Sequence, residues 1–551
     1  MKRFLIFFVL AICPCVASDT TTPGEITTPY PTISNLAVEW QIEGDDNLDA
    51  ICEVKFLAVG EATWRTGMPL RRVPAGESRG TSVPFRWTNR LSGSLFDLPA
   101  DTNFEIALTL HDPDGGDAAS TVTVRTRPVP VAAVDAPVKH ADRSGLNAVS
   151  PGDLILLADG DYGEVTFNKD GEPGRPIVYR STSGKAVFQE VGLANRKWVH
   201  LEGVTVKGPV RMNGAEYCVV RNCTIHAQYG IKAYKPGITN CYLADNVITG
   251  IHGWDPAIMG ADGDNEGEGI QITGSGNVIC HNRVSGFRDC LSHLEDDGAV
   301  VQMCNDWLNN DISIGLDDAI EADFALSNCR ILRNRITNCF VGLSSQPGLG
   351  GPNYFMHNVM YNLTYGAFKL HRFSQGDVIL HNTVVKVGDG LGNYTSEPFD
   401  HALFRNNLFL GGGPVDGQFG GFSPGRGRSI DVQNFGKHVS FDYDALGADG
   451  LPFEGKIRSW TFSELPGTEF EPHGLQVGLE VFEKVDFPSN PSRLYPAPDL
   501  RPRPGSAVVD AAQSIPNVND GFSGTGPDIG AYEAGETLPI YGPRASALDP
   551  N

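Results

Sequence analysis

One short pattern of apolar and polar positions returns along the chain between Val219 and Phe409. An apolar residue is followed by two variable residues, an asparagine, one variable residue and another apolar residue, as in Leu243-Ala-Asp-Asn246-Val-Ile248. The interval is most often 24 residues, and the segments between turns are β-branched and lack helical periodicity. This pattern predicts a solenoid, whose coils are too small to fold alone and bury their apolar faces against one another. The repeated asparagines are Asn222, Asn246, Asn282, Asn310, Asn334, Asn358, Asn382 and Asn406.

The repeated asparagine has a structural interpretation. Neighbouring coils pair strand on strand about 4.8 Å apart, so residues at equivalent positions form rows along the stack. We expect the asparagines to form an internal ladder in which side-chain amides hydrogen-bond from coil to coil.

The pattern changes on both sides of the repeat and divides the chain of 551 residues. Met1-Lys2-Arg3, an apolar run and small residues before Ser18 predict a cleaved signal peptide and therefore an exported protein. No later apolar run approaches the roughly 18 residues needed to span a membrane. The predicted segments are 1–18 signal peptide, 19–30 Thr/Pro linker, 31–128 antiparallel β-sandwich, 129–139 linker, 140–440 solenoid, and 441–551 loop-rich segment and C-terminal cap.

The net charge of the chain and the positions of its cysteines limit the partners and the metal sites that the protein is expected to have. A formal net charge of -23 argues against nucleic acid or an anionic membrane as a partner. After loss of Cys13 and Cys15 with the signal peptide, an odd number of cysteines remains, and most of them lie beside apolar positions of the repeat without CxxC spacing. We therefore expect buried thiols rather than a disulfide framework or a zinc site.

Two stretches resemble known folds. Trp40 and the corner Leu98-Pro99-Ala-Asp-Thr102-Asn-Phe104 resemble those of a fibronectin type III module, with Phe104 in place of the usual tyrosine. Residues 140–440 resemble a right-handed parallel β-helix of the pectate-lyase-like superfamily. The resemblance implies an all-β fold, a right-handed parallel β-helix preceded by a small antiparallel β-sandwich. A short helix from His140 to Val149 is expected to cover the first coil.

Candidate chemistry lies in the outward columns of the solenoid. Counting from each ladder asparagine, the residues 11 positions later are mostly ionisable and form a predicted outward row of His293, Glu321, Ser345 and Lys369. Seven positions after the asparagine stand Asp289 and Asp317, with Asp318 beside the latter. Like charges at this spacing destabilise one another by up to about 1 kcal/mol per pair. A raised pKa or a bound calcium ion would relieve that repulsion.

The spacing is similar to that of the family 9 pectate lyases, which carry an Asp, an Asp-Asp-x-x-Asp and a downstream Lys. The resemblance implies that Asp289, Asp317, Asp318 and Glu321 bind Ca²⁺ and that Lys369 abstracts a proton, with Glu321 in place of an aspartate. Calcium on a uronate carboxylate acidifies the adjacent proton, and crowding by calcium lowers the pKa of the lysine. The implied reaction is β-elimination on an acidic polysaccharide, which calcium lets an acidic protein bind.

Other residues are candidates beside this set. His293 and His371 are alternative bases, and Arg372 or Arg288 could hold a second carboxylate or a sulfate. The interval between Asn246 and Asn282 contains 12 extra residues, and Trp254 in that loop could stack on a sugar face. A structural calcium loop around Asp262 and Asp264 is the alternative interpretation of the same segment.

The sequence therefore predicts a secreted, monomeric polysaccharide lyase, with three alternatives left open. An inverting glycoside hydrolase would use two of the carboxylates about 6.5 to 9.5 Å apart. A C5-epimerase shares the proton-abstraction step. The Thr/Pro linker and the sandwich would also suit a non-catalytic carbohydrate-binding or cell-surface protein.

Overall fold

The computed structural model describes residues 18–260, 266–413, 421–447 and 468–545, together with 263, 419, 453–455, 459–460 and 464. The predicted signal peptide up to residue 17, Asp262 and Asp264 lie outside these residues. Strands dominate, and no described helix is long and apolar enough to cross a membrane. The described helices are short 3-10 turns: Arg143–Gly145, Pro256–Ile258, Asp296–Gly298 and Leu479–Val481.

The N-terminal part is the predicted antiparallel sheet. Residues from distant strands, such as Trp40 and Ile106, meet in one apolar cluster, so the sheet folds over its own core. Alternation of buried and exposed residues along Asn103–His111 shows why: one side faces this core and the other faces water. In order across the sheet the strands are Thr22–Thr27, Leu36–Glu43, Arg90–Leu95, Arg65–Val73, Ile51–Ala58, Asn103–His111 and Ala118–Arg125.

The prediction that residues 19–30 form an unpacked linker is wrong. Thr22–Thr27 is the edge strand of the sheet and pairs antiparallel with Leu36–Glu43. Thr21 is buried, and both its backbone N–H and its hydroxyl donate to the carboxylate of Asp112. Backbone hydrogen bonds and the contact of Thr21 with Asp112 hold this segment on the sheet, although its sequence contains few apolar residues.

The second part is a solenoid of parallel strands, and the all-β prediction is confirmed. Two sheets run its length, and their inward side chains form one continuous apolar cluster from Leu146 to Leu446. The first sheet contains Val138–Ala141, Leu154–Leu157, Ile177–Arg180, Val199–Glu202, Val219–Arg221, Tyr242–Ala244, Val278–Cys280, Asp306–Leu308, Arg330–Leu332, Leu349–Met356, Gln375–Leu380, Leu403–Arg405 and Ser440–Asp442.

The second sheet is longer because many coils contribute two strands to it. Its strands are Gly160–Thr166, Ala186–Gly192, Thr205–Val206, Val210–Arg211, Thr224–His226, Tyr229–Lys232, Val247–Thr249, Glu268–Ile272, Arg283–Phe287, Asp289–His293, Asp311–Glu321, Arg335–Ser344, Val359–Leu363, Phe368–Lys369, Thr383–Val387, Leu408–Gly412, Ala445–Gly447 and Leu475–Gln476. Small sheets at the turns hold Gly76–Glu77 with Arg86–Trp87, Ile238–Thr239 with Gly274–Ser275, and Leu391–Asn393, Ile430–Val432, Phe453–Gly455 and Ser459–Trp460.

The asparagine ladder is confirmed over most of its length. Asn334, for example, donates from its backbone and its amide to Asn358 Oδ1 and also donates to the carbonyl of Trp307, at 2.9 to 3.0 Å. The same bonding runs from Asn246 through Asn282, Asn310, Asn334, Asn358 and Asn382. All six side chains are buried, so the ladder satisfies polar groups that water cannot reach.

The prediction that all eight asparagines belong to the ladder is wrong for two of them. Asn222 and Asn406 each lie one residue before the ladder position, which Cys223 and Asn407 occupy. The φ angles of Asn222 and Asn406 are 54° and 60°, a left-handed turn conformation that asparagine tolerates. The same turn position is left-handed in the intervening coils, at Asp245, His281, Asn309, Arg333, His357 and His381.

The ends of the solenoid also differ from the prediction. Residues 140–149 form no α-helix: Val138–Ala141 is the first strand, and Leu146 fills the open end, where its carbonyl accepts a bond from Tyr179. The coils continue beyond residue 440 to Leu475–Gln476. The described part of the C-terminal segment packs along the side of the solenoid, against Tyr361 and Leu410, rather than over its end, and Arg544 pairs with Asp245.

The cysteines are buried as expected. Cys52 lies in the N-terminal sheet and the others in the solenoid, and all nine in the described residues are free thiols. Burial raises the pKa of Cys223 to about 12, so this thiol stays protonated and acts as a small apolar side chain.

The N-terminal domain packs on the outer face of the first solenoid sheet. Phe96 packs edge-on against Tyr354, and Arg90 donates to the carbonyl of Gly351. At the centre of this interface Arg330 pairs with Asp306, and neither side chain is exposed. Thr32 and Asn35 of the N-terminal domain donate to the other oxygen of Asp306. This buried pair therefore belongs to both domains.

Candidate active site

Acidic side chains gather on the outer side of the second sheet, where strands from successive coils lie side by side. Asp289–His293 pairs with the end of Asp311–Glu321, which pairs in turn with Arg335–Ser344 and then Phe368–Lys369. One carboxylate oxygen each from Asp289, Asp318 and Glu321 lies within 4.8 Å of the others. The sequence-predicted acids of neighbouring coils are thus brought together.

The row that contains Lys369 differs from the predicted one. The paired residues are Ser292, Glu321, Ser344 and Lys369, so Glu321 and Lys369 are placed as expected whereas His293 and Ser345 are not. Counted from the ladder asparagine, the coils of Glu321 and Lys369 each hold one residue more before this row than the coils of Ser292 and Ser344. A count from the asparagine cannot detect such an insertion.

The extra residue in the coil of Glu321 is a bulge between Gly315 and Asp318. A bulge interrupts the strict alternation of side chains and turns an additional residue toward one face. As a result, the consecutive residues Asp317 and Asp318 both reach the acidic cluster: Asp317 bonds Arg288, and the Asp318 backbone N–H donates to Asp289 Oδ1 at 2.8 Å.

Arg288 joins two of the acids. Its Nη1 donates to Asp289 at 2.6 Å and its Nη2 to Asp317 at 2.9 Å. The charge of Asp289, and after it that of Asp317, raises the pKa of Arg288 despite burial. These two bonds hold the guanidinium inside the cluster, so Arg288 orients the acids, and its predicted contact with substrate stays a prediction.

Lys369 reaches the cluster from two coils away. Its Nζ forms an ion pair with Asp318, so the long side chain spans the distance that separates the two strands. Burial by itself lowers the pKa of Lys369, but the charges of Asp318, Asp317 and Asp323 outweigh it and raise the pKa well above the usual value. In this state Lys369 is a firmly protonated ammonium group.

Glu321 is the least satisfied acid of the cluster. Its side chain is 6% exposed, yet within the described residues its carboxylate accepts no hydrogen bond and forms no ion pair. The Oδ1 atom of buried Asp318 also lacks a hydrogen-bond partner in this part of the chain. Burying a carboxylate without a partner costs free energy. The Glu321 carboxylate and the Asp318 Oδ1 atom therefore indicate a ligand that the protein chain itself does not supply.

Three further acids extend the cluster beyond the predicted set. Glu295 and Asp323 lie with Glu321 in a second group of carboxylates within 4.8 Å of one another. Asp323 is two residues after Glu321. In a strand, residues two positions apart lie on the same face, so this spacing is the sequence signal that could have identified Asp323. Glu268 pairs with Asp289 on the neighbouring strand. A count from the ladder asparagine does not predict this pairing, because the long loop before Glu268 changes the spacing.

Burial keeps several of these acids partly protonated near neutral pH. Burial raises the pKa of Asp289 to about 6, although Arg288 opposes the shift. It raises the pKa of Asp323 to about 7. Burial, and then the charge of Asp289, raises the pKa of both Glu321 and Glu268 well above the usual value. The cluster is therefore poised to lose protons when a cation enters.

We expect a corresponding pH dependence of stability. A folded-state pKa of about 6 for Asp289, above the ordinary 3.8, means that the folded protein holds a proton more tightly than the unfolded chain. The stabilisation is present below pH 3.8 and is lost as the pH rises through 6. In chelator, the wild-type protein should lose on the order of 3 kcal/mol relative to Asp289→Asn between pH 4 and 7.5.

The measurement is urea unfolding of both proteins across that range. Asp289→Asn is neutral at every pH and therefore lacks the titration of the Asp289 carboxyl group. A difference between the two proteins that stays constant with pH would contradict the shift.

The two histidine candidates lie in different places. His293 is buried inside the solenoid, where Asn305 Nδ2 lies 3.1 Å from Nε2 and Nδ1 is 3.2 Å from the carbonyl of Asp323. The prediction that it faces outward is wrong, because Ser292 takes that position. His371 is half-buried two residues after Lys369 and hydrogen-bonds Asn393. Burial lowers the pKa of His371 to about 4, so it is neutral.

Arg372 lies where the two domains meet beside the cluster. Its Nη1 is 3.5 Å from Glu295 and 3.8 Å from Asp296. The N-terminal domain reaches this edge through the loop of Gly76–Trp87, in which Ser82 donates its backbone N–H to Asp296 at 3.0 Å. Both domains therefore border the site. A contact of Arg372 with substrate remains a prediction.

A cluster of apolar side chains lies beside the acidic residues. Trp254 is half-buried in it, packs near Met259, and donates its indole N–H to the carbonyl of Pro491 at 3.2 Å. This bond ties Trp254 to the C-terminal segment; stacking on a sugar stays a prediction. Four residues before Lys369, Tyr365 opens onto a cavity of about 530 Å³. The cavity is also lined by Tyr394, Phe422 and Arg426.

Comparison with known proteins agrees with this architecture. Residues 208–409 match the family model described as a right handed beta helix region. With the parallel sheets of the structure, this match makes the chain a right-handed parallel β-helix protein with an additional N-terminal antiparallel domain.

Two characterised proteins are similar over most of the chain. Pectate lyase L of Dickeya chrysanthemi is 25% identical over 424 residues, which cover 71% of this chain and 84% of that protein. Pectate lyase L of Dickeya dadantii (strain 3937) is 23% identical with the same coverage. The chain is therefore similar to these two pectate lyases over 71% of its length, at low identity.

Proposed function

We propose that the protein is a secreted lyase that cleaves an acidic, uronate-containing polysaccharide by calcium-assisted β-elimination. The observation that carries the proposal is the ion pair of Lys369 with Asp318, whose carboxylate lies close to those of Asp289 and Glu321. A lysine and a set of carboxylates of this kind supply a base and a cation site at one point. Distant similarity to pectate lyases supports the same reaction class.

The residues present fit a calcium ion. Calcium prefers oxygen ligands, and Asp289, Asp318 and Glu321 offer carboxylate oxygens from two adjacent coils. Asp318 Oδ1 has no hydrogen-bond partner among the described residues, and no hydrogen bond or ion pair engages the Glu321 carboxylate there. Asp317 is paired with Arg288 beside this group. When bound, calcium would neutralise a uronate carboxylate and so acidify the proton on the adjacent carbon.

Lys369 would remove that proton. Its pKa is raised by Asp318, Asp317 and Asp323, so a positive charge among these acids weakens the effect that keeps the lysine protonated. Burial then favours the neutral amine, which can accept a proton. The base would thus become active only when the acidic cluster is occupied, and His371, neutral nearby, could relay the proton outward.

The surroundings suit a polysaccharide. Tyr365 and Phe422 present aromatic faces to the cavity, and such faces pack against the apolar side of a sugar ring. Arg426 is exposed at the same cavity, and Arg372 lies 3.5 Å from Glu295, so each could receive a carboxylate of a neighbouring residue of the polymer. Export rests on the N-terminal sequence features.

The spacing of the acids favours elimination over inverting hydrolysis. An inverting hydrolase keeps its two carboxyl groups about 6.5 to 9.5 Å apart to admit a water molecule. Asp289, Asp318 and Glu321 bring carboxylate oxygens within 4.8 Å of one another, which suits a shared cation instead.

Removal of calcium tests the proposal. Purified protein incubated with pectin, alginate, ulvan or glycosaminoglycans is expected to give unsaturated ends that absorb near 235 nm. Treatment with a chelator should abolish this absorbance, and added calcium should restore it, because the uronate proton is not acidic enough without the cation.

The products distinguish the alternatives. New reducing ends without absorbance at 235 nm would indicate a hydrolase. Inverted uronate residues without chain cleavage would indicate an epimerase. Absence of any product from every acidic polymer would contradict catalysis and leave binding as the function.

A further inference from the structure

We propose that the protein binds a second divalent cation, held by Glu295, Glu321 and Asp323, beside the calcium site of the proposed function. Glu321 would then bridge the two cations. The inference extends the proposed function, but the binding site can be tested whether or not the protein is a lyase. Its ligand chemistry is that of a hard cation such as calcium, since all three side chains offer carboxylate oxygen.

The geometry of Asp323 points to such a ligand. Its Oδ1 accepts hydrogen bonds from the Ser344 hydroxyl at 2.6 Å and from the Gln346 backbone N–H at 2.8 Å. These bonds fix the buried carboxylate and leave Oδ2 without a partner in the described part of the chain. An oxygen of Asp323 lies within 4.8 Å of oxygens from Glu295 and Glu321.

The Glu321 side chain provides a second, independent observation that indicates a bound cation. It is more than nine-tenths buried, belongs to both groups of acids, and no side chain of the described residues bonds its carboxylate. A carboxylate has two oxygens, so Glu321 can serve one cation with each. A single cation among Asp289, Asp318 and Glu321 would leave Asp323 Oδ2 close to the Glu295 carboxylate without a hydrogen-bond partner of its own, with Arg372 3.5 Å from Glu295 as the counter-charge.

The charges lead to the same conclusion. Three basic side chains, Arg288, Lys369 and Arg372, face seven carboxylates: Glu268, Asp289, Glu295, Asp317, Asp318, Glu321 and Asp323. With all seven acids ionised, one divalent cation leaves this cluster negative. A second divalent cation neutralises it. Glu295 is partly exposed, so the second site opens to solvent and to an acidic polymer.

The test is the stoichiometry of calcium binding, measured by isothermal titration calorimetry on the full chain. Asp323→Asn and Glu295→Gln should each lose one site relative to wild type and keep the other. Asp289→Asn should lose the other site and keep this one. Glu321→Gln should lose both. Asp297→Asn is the matched control, because Asp297 is an exposed acid of the same loop outside both groups.

Wild-type stoichiometry in both Asp323→Asn and Glu295→Gln would overturn the inference. Thermal unfolding in chelator verifies that each variant is folded before titration. The proposed function fails separately, by absence of the 235 nm product, and that result leaves the change in stoichiometry unaffected.

Discussion

Lys369→Ala is expected to lower the rate of elimination by about 10²- to 10⁴-fold, the usual contribution of a general base. The amine that contacts Asp318 is the group best placed to take the proton beside the cation, because the other members of its row are two serines, Ser292 and Ser344, and the proposed cation ligand Glu321. The measurement is the initial rate of absorbance increase near 235 nm at saturating calcium.

Lys369→Arg distinguishes a base from an electrostatic partner. Arginine keeps a positive charge for Asp318 but does not give up its proton, so this variant should be as inactive as Lys369→Ala. Lys197→Ala, which removes an exposed lysine paired with Glu216, should retain wild-type activity. Recovery of activity in Lys369→Arg would remove the lysine from its role as base.

Asp306→Ala is expected to cost about 3–5 kcal/mol of stability, because it leaves the buried guanidinium of Arg330 without its counter-charge. Arg330 and Asp306 have no exposed side-chain surface, and the same substitution removes the acceptor for Thr32 and Asn35. The loss should therefore appear both in urea unfolding and in faster proteolysis between the two domains.

The matched control is Asp97→Asn, which breaks the partly exposed pair with Arg333 at the same domain interface. Solvent screens that pair, so the expected cost is about 1 kcal/mol or less. Equal effects of the two substitutions would show that the interface does not depend on the buried pair.

The sequence determined the solenoid because its information is local and repeated. Apolar residues alternate within each coil and an asparagine returns at nearly constant spacing, so stacking is the arrangement that buries the apolar residues and pairs the amides. The acids Asp289, Asp317, Asp318 and Glu321 could be assigned to adjacent coils from the same count.

Only the tertiary structure decided which side chains meet. The coils of Glu321 and Lys369 each contain one extra residue, at the bulge before Asp318 and in the turn before Phe368. The coil of His293 lacks such a residue, so Ser292 and not His293 stands in the row of Glu321 and Lys369. A one-residue shift reverses the face of every following side chain in a strand, and no composition signal marks it. The contribution of the N-terminal domain to the site edge was likewise invisible, because the bond of Ser82 to Asp296 joins residues that lie far apart in the chain.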